Sequence, residues 1–127
     1  MQIAAGTGDE DTGMQLTLSR DDNGMTIRVD EKRLDAAIAT AFKDRVRNLL
    51  AHAGEVVTLD LSAVDFMDSS GLGAVIAIFK SMPPGRRLEL AGLTPNVARV
   101  FRLTRMDSVL TIRPAATSAP PSLGAAE

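Results

Sequence analysis

Between Val56 and Ala91 the hydrophobic period of the chain changes twice, and this restricts the fold more than any single residue does. Val56-Val-Thr-Leu-Asp-Leu61 is a short, nearly continuous apolar run, as expected for a strand buried on both faces. Leu72, Val75, Ile76, Phe79 and Met82 then recur at helical spacing, and Pro83-Pro84-Gly85 must end that helix. Arg87-Leu-Glu-Leu-Ala91 returns to strand character. Strand, helix and strand in succession imply a sheet with helices packed on it.

The flanking segments extend the pattern. Gln15–Arg20 and Met25–Val29 alternate on either side of Asp21-Asp22-Asn23-Gly24, and Asn-Gly between such runs signals a hairpin. From Asp35 to about His52, Ile38, Phe42, Val46, Leu49 and Leu50 share one helical face; Asp35 is placed to cap it and Gly54 to close it in the left-handed conformation. Thr94-Pro95 opens a third helix with a capping hydroxyl and a proline at its first position. That helix turns Val97, Val100, Phe101 and Thr104 inward, and Val109–Ile112 forms a last strand. The order is ββαβαβαβ, an α/β domain with a small mixed sheet. Residues 1–13, rich in Gly, Thr and acids, and residues 114–127, rich in Pro, Ala and Ser, read as disordered tails around a domain over 14–113.

Composition removes several classes of function. The chain has no cysteine, which excludes disulfides, thiol catalysis and zinc–thiolate sites, and a single histidine, His52, cannot build a multi-histidine metal site. A net charge of -2 with no Trp or Tyr provides neither the basic footprint nor the stacking platform of a nucleic-acid binder. The N-terminus carries acids where a secretion signal carries positive charge, and the run Ala74–Phe79 is too short to cross a bilayer. A cytoplasmic protein without a cofactor is the expectation, with no nucleic-acid or membrane partner.

The stretch Asp65-Phe-Met-Asp-Ser-Ser-Gly-Leu-Gly-Ala-Val75 raises a separate question, because an apolar helix here opens with an acid, two serines and two glycines. With Asp68 as N-cap, Met67 and Leu72 stand at the two positions of a hydrophobic staple. Moving the cap to Ser69 loses that contact, so Ser69 becomes the first helical residue with a hydroxyl that capping does not require. Gly71 and Gly73 together cost about 2 kcal/mol of helix propensity, and glycine is used where another backbone or ligand comes close. Two readings stand side by side: a modifiable docking surface, and the ordinary Asp/Ser/Gly chemistry of a strand-to-helix turn.

Leu59–Val75 (LDLSAVDFMDSSGLGAV) resembles the signature of STAS domains, specifically the bacterial anti-sigma factor antagonists, and the likeness continues through Leu90–Ile112. The resemblance implies a STAS fold and a regulatory protein with no enzymatic activity. It implies that Ser69, the first serine of Asp68-Ser-Ser-Gly71, is the phosphoacceptor, and that Asp35, Asp68, Ser70, Gly71 and Leu72 shape the docking site with it. The implied partners are an anti-sigma factor whose histidine-kinase-like ATPase domain is the serine kinase, and a metal-dependent serine phosphatase. Many members carry Gly-Glu-Leu-Asp before the first helix; here that position reads Lys32-Arg33-Leu34-Asp35, which keeps the aspartate and adds two positive charges.

The remaining motifs carry little. Gly71-Leu-Gly73 is followed by Ile76 where a dinucleotide fingerprint needs its third glycine, and no phosphate loop or Gly-x-Ser-x-Gly elbow exists. A hydrolytic triad would have to recruit His52 from the far end of the first helix. Asp21-Asp22 reads as turn chemistry, Asp60 as a strand carboxylate in want of a partner, and Arg99, Arg102 and Arg105 as a solvated stripe. The rival within the same family is a structural STAS subunit of a larger assembly, such as a lipid-transport complex, in which Ser69 is never modified.

Overall fold

The computed structural model describes residues 14–22 and 24–113, so the two expected tails and Asn23 lie outside the described residues. The chain runs β1 (Leu16–Arg20), β2 (Gly24–Val29), β3 (Arg33–Leu34), α1 (Ala39–Leu50), β4 (Val56–Asp60), β5 (Phe66–Met67), α2 (Ser69–Lys80), β6 (Arg87–Ala91), α3 (Pro95–Leu103), a turn of 3-10 helix (Met106–Ser108) and β7 (Thr111–Arg113). A five-stranded sheet has the order β1-β2-β4-β6-β7, with β1 antiparallel to β2 and every other pair parallel. The expected order is therefore present as a mixed sheet. The addition is a separate two-stranded parallel sheet, β3 with β5, in which Arg33 faces Phe66 and Leu34 faces Met67. Strands of two residues have no period to read, which is why the sequence conceals them.

All three helices feed one core. Phe42 and Val46 from α1, Val75 and Ile78 from α2, and Val97 and Phe101 from α3 are fully buried with Ile27, Val57, Leu59 and Leu90 of the sheet. Only that face of the sheet is covered among the described residues. β4 consequently alternates, with Val57 and Leu59 buried and Val56, Thr58 and Asp60 half-buried, where the sequence reading expected burial on both faces. Val56 and Thr58 tolerate either environment, so the alternation was hidden. Asp60 ends the strand by accepting from the Ser62 N–H at 2.9 Å. On the uncovered face the carboxylate of Glu89 is buried between Arg113 at 2.8 Å and Arg87 at 3.4 Å.

Several helix ends differ from expectation because groups distant in sequence supply the missing partners. α1 begins at Ala39; Asp35 instead closes the preceding turn, its side chain accepting from Ala37 at 3.1 Å and its carbonyl from Ala39 at 2.9 Å. At the other end the helix tightens through His52 N–H to the Leu49 carbonyl, while Arg86 donates to the Leu50 carbonyl at 2.8 Å and Arg20 to that of His52 at 3.0 Å. With those carbonyls satisfied, no left-handed glycine is required, and Gly54 does not adopt that conformation. Thr94 precedes α3, but its hydroxyl donates to the Val64 carbonyl at 2.7 Å instead of capping. Thr104 is exposed, its hydroxyl returned to the Val100 carbonyl at 2.8 Å, and β7 starts at Thr111 with Val109 exposed.

The hairpin joins β1 to β2 as expected, with Asp21 N–H donating to the Gly24 carbonyl at 2.9 Å and the Asp21 carboxylate accepting from Gly24 N–H at 3.0 Å. Gly24 has a second reason to be glycine. A β-carbon there would stand 1.8 Å from the Val56 carbonyl oxygen, so the start of β2 can lie against β4 only without a side chain. Gly24→Ala is expected to lower unfolding free energy by about 1–3 kcal/mol in chemical denaturation, the usual range for forced overpacking.

Candidate functional site

The head of α2 is assembled around the Asp68 carboxylate. Asp68 is the N-cap, with extended backbone, and its Oδ1 accepts from the N–H groups of Ser70 at 2.9 Å and Gly71 at 3.0 Å. Its Oδ2 accepts from the Ala36 N–H at 3.2 Å. One side chain thus ties the start of α2 to the turn that leads into α1. The Gly71 bond, with those from Ala36 and Ser70, outweighs the opposing effect of burial and holds the Asp68 carboxyl below the ordinary aspartate range.

Ser69 follows as the first helical residue and is exposed, and its hydroxyl makes no hydrogen bond among the described residues. Ser70 is exposed beside it, Leu72 is half-buried against the core that contains Met67, and Asp35 is half-buried one residue before Ala36. The six residues singled out from sequence therefore surround one helix terminus.

The two glycines have different roles. Gly71 is buried, and a β-carbon on it would lie 2.1 Å from the Leu34 carbonyl oxygen. Its bareness lets α2 press on β3, a local gain that the sequence could not reveal because β3 is not legible there. Gly73 is exposed with nothing within 4 Å of where a β-carbon would stand. It opens a shallow groove of about 260 Å³ between α1 and α2, lined also by Ala36, Thr40, Lys43 and Ser70.

The backbone N–H groups of Ser70 and Gly71, which a phosphate on Ser69 would seek, are already held by Asp68. A dianion on Ser69 would stand in solvent beside a carboxylate, aided by the helix dipole but not by those amides.

Residues that the sequence reading passed over also converge here. The Arg33 Nε donates to the Asp35 Oδ2 at 3.2 Å, and its guanidinium lies 4.5 Å from the centre of the Phe66 ring. Phe66 itself is 40% exposed, a large apolar side chain at the surface directly before Met67 and Asp68. The available signal was the pair Phe66-Met67, one side chain outward and one inward, ahead of the cap. Arg99, Arg102 and Arg105 are all exposed, and Arg105 lies beyond the end of α3 with φ of 64°. No helix among the described residues is long and apolar enough to cross a membrane.

The STAS domain family matches residues 15–119. An anti-sigma-B factor antagonist from Listeria monocytogenes is 32% identical over 81 residues, spanning 63% of this chain and 71% of the relative. The crystal structure of an anti-sigma factor antagonist from Mycobacterium paratuberculosis superposes with a TM-score of 0.74 at 21% identity, over 83% of this chain and 89% of that one. A putative anti-sigma factor antagonist from Thermotoga maritima gives a TM-score of 0.67 at 27% identity, over 77% and 85% of the two chains.

Two predictions test the helix head. Gly71→Ala should destabilise by about 1–3 kcal/mol through overpacking, whereas Gly73→Ala should stabilise by about 1 kcal/mol through helix propensity; urea melts of both variants read the opposite signs. The lowered carboxyl of Asp68 stabilises the fold above its unfolded value, near 3.9, and that contribution is lost as pH falls through the lower folded value. The stability gap between wild type and Asp68→Asn should be full above about pH 5 and shrink steadily below about pH 4.

Proposed function

The chain belongs to the STAS domain family, and on that premise we propose that it is an anti-sigma factor antagonist working in a partner-switching module. Its unphosphorylated form binds and sequesters an anti-sigma factor that carries a histidine-kinase-like ATPase domain. Phosphorylation on Ser69 ends that binding, and a metal-dependent serine phosphatase restores it. The protein is the substrate of this chemistry and not its catalyst, and it acts in the cytoplasm.

The observation that carries the reading is the exposed hydroxyl of Ser69 at the first position of α2, without a hydrogen bond among the described residues and with the capping role already filled by Asp68. Such an alcohol can be modified without unmaking the helix end. In the transfer, Ser69 Oγ forms a bond to the γ-phosphorus of ATP, the bond from that phosphorus to the β,γ-bridging oxygen breaks, and ADP departs. The hydroxyl proton passes to a base on the kinase. The product places about -1.5 to -2 charges next to Asp68, outside the amides that Asp68 occupies. Repulsion and bulk therefore fall on whatever docks over the helix head, with the fold left intact. Asp35, Ser70, Gly71 and Leu72 support that surface: Gly71 by letting α2 seat on β3, Leu72 by anchoring the first turn, Asp35 and Ser70 from its rim.

Incubation with a kinase-like ATPase protein of the same genome and ATP should add the mass of one phosphate to wild type and none to Ser69→Ala. Ser69→Asp should lose binding to that protein while its melting temperature stays within about 2 °C of wild type, since a surface substitution changes stability little. Absence of a mass gain with any such protein would favour a structural STAS subunit. A large fall in melting temperature would show that the charge acts by unfolding.

A further inference from the structure

The separate β3–β5 sheet has one property that the fold does not require. Its inward residues, Leu34 and Met67, are buried and account for its attachment, while its outward pair presents an arginine stacked on a phenylalanine. At 4.5 Å from the ring centre, the Arg33 guanidinium is within cation–π range, and its Nε is fixed on Asp35. The Nη donors of Arg33 have no partner among the described residues, and the side chain remains 63% exposed.

The charges around this plate are unevenly committed. Asp30 is engaged by Arg28 at 3.1 Å and by the Thr17 hydroxyl, and Glu31 accepts from the Gln15 N–H at 2.7 Å. Asp68 is spent on three amides and Asp35 on Ala37 and Arg33. Lys32, exposed beside Arg33, has no side-chain partner among the described residues. The cationic donors left open on this side are therefore the Nη groups of Arg33 and the ammonium of Lys32; among the described residues Asp65, exposed next to Phe66, is a carboxylate without a side-chain partner beside them. The backbone beneath is fixed, since Asp65 and Phe66 N–H both donate to the Lys32 carbonyl and Asn96 donates to that of Asp65. A fixed arginine–aromatic pair at the surface has the composition of an interface anchor.

We infer that Arg33 and Phe66 are the specificity-determining contact of the surface at the head of α2, reading an acidic side chain set beside an apolar one on the partner protein. The inference rests on the reading above that this head is a docking surface, with which the plate is continuous through Met67 and Asp68. The partner's carboxylate receives the Nη donors of Arg33 while its apolar neighbour covers the uncovered edge of Phe66. Arg33 is a recognition residue here, with no part in phosphoryl transfer.

The probes are the kinase-like ATPase proteins of the same genome, each immobilised singly and titrated with wild type, Arg33→Glu, Arg33→Lys, Phe66→Ala and Ser69→Asp. For whichever protein wild type binds, Arg33→Glu should weaken binding at least tenfold, on the order expected for an interface anchor. Arg33→Lys, which keeps the charge but loses the planar donors, should lose about threefold to tenfold. The salt dependence of binding should flatten in Arg33→Glu, which a merely structural role would not produce. Binding by Arg33→Glu and Arg33→Lys within twofold of wild type, with Ser69→Asp inactive, would overturn this inference and leave the proposed function standing. Should wild type bind none of the ATPase proteins, the proposed function fails and the inference falls with it.

Discussion

Three backbone N–H groups converge on one carboxylate, and the arrangement of the functional end of this protein depends on that convergence. Asp68 fills the cap of α2 through Ser70 and Gly71 and reaches across to Ala36, so the terminus of one helix and the approach to another are set by one side chain. The close seating of Gly71 on the Leu34 carbonyl makes this geometry possible, because any β-carbon would lift α2 away from β3. The consequence for Ser69 is indirect but decisive. With the cap occupied by its neighbour, the Ser69 hydroxyl is left over, and a left-over alcohol at a helix terminus costs the fold nothing when it is modified.

The same arrangement explains why a phosphate there should act on binding and not on stability. At many helix N-termini an anion is received by unpaired amides, which orders it and stabilises the helix. Here Asp68 already holds two of those amides, so the favourable pull of the dipole is set against repulsion from an adjacent carboxylate. The two terms oppose each other within the protein. Against a docking partner of the proposed kind there would be no such cancellation, since a desolvated dianion facing a surface fitted to a neutral hydroxyl would have no compensating donor.

Much of this was legible before any coordinates, and for identifiable reasons. The three helices and five principal strands appear in the sequence because their apolar residues keep a period over several turns or pleats, and Asp68 as cap followed from the positions of Met67 and Leu72. What escaped was either too short to have a period or dependent on contacts between distant segments. β3 and β5 have two residues each, so the reason for Gly71 and the stacking of Arg33 on Phe66 were both invisible. Arg86 meets the last carbonyl of α1 and Arg20 that of His52 just beyond it, both from far away in sequence, which made a closing glycine at 54 a reasonable but mistaken expectation. The burial of Glu89 was not legible because one of its two arginines, Arg113, comes from β7, distant in sequence, and only the pairing of β6 with β7 brings it to join Arg87 of the same strand.

If Ser69 is the proposed switch, its separation from the Arg33–Phe66 plate has a consequence for how that switch is built. On the proposed function, Ser69 is read by a kinase, a phosphatase and a binding partner and is constrained by all three, so it is a poor place to encode which partner is correct. The rim is under no such constraint. β3 is anchored from below by Leu34, whose burial does not depend on what its neighbour displays outward, so the Arg33 position can change its charge without disturbing Asp68 or the seat of Gly71. Switching and selectivity can then vary independently on adjacent residues of one small surface. On the inference drawn above, the selective half is a cation placed over an aromatic ring, and repulsion of a cationic partner surface would be as much a part of its specificity as attraction of an acidic one.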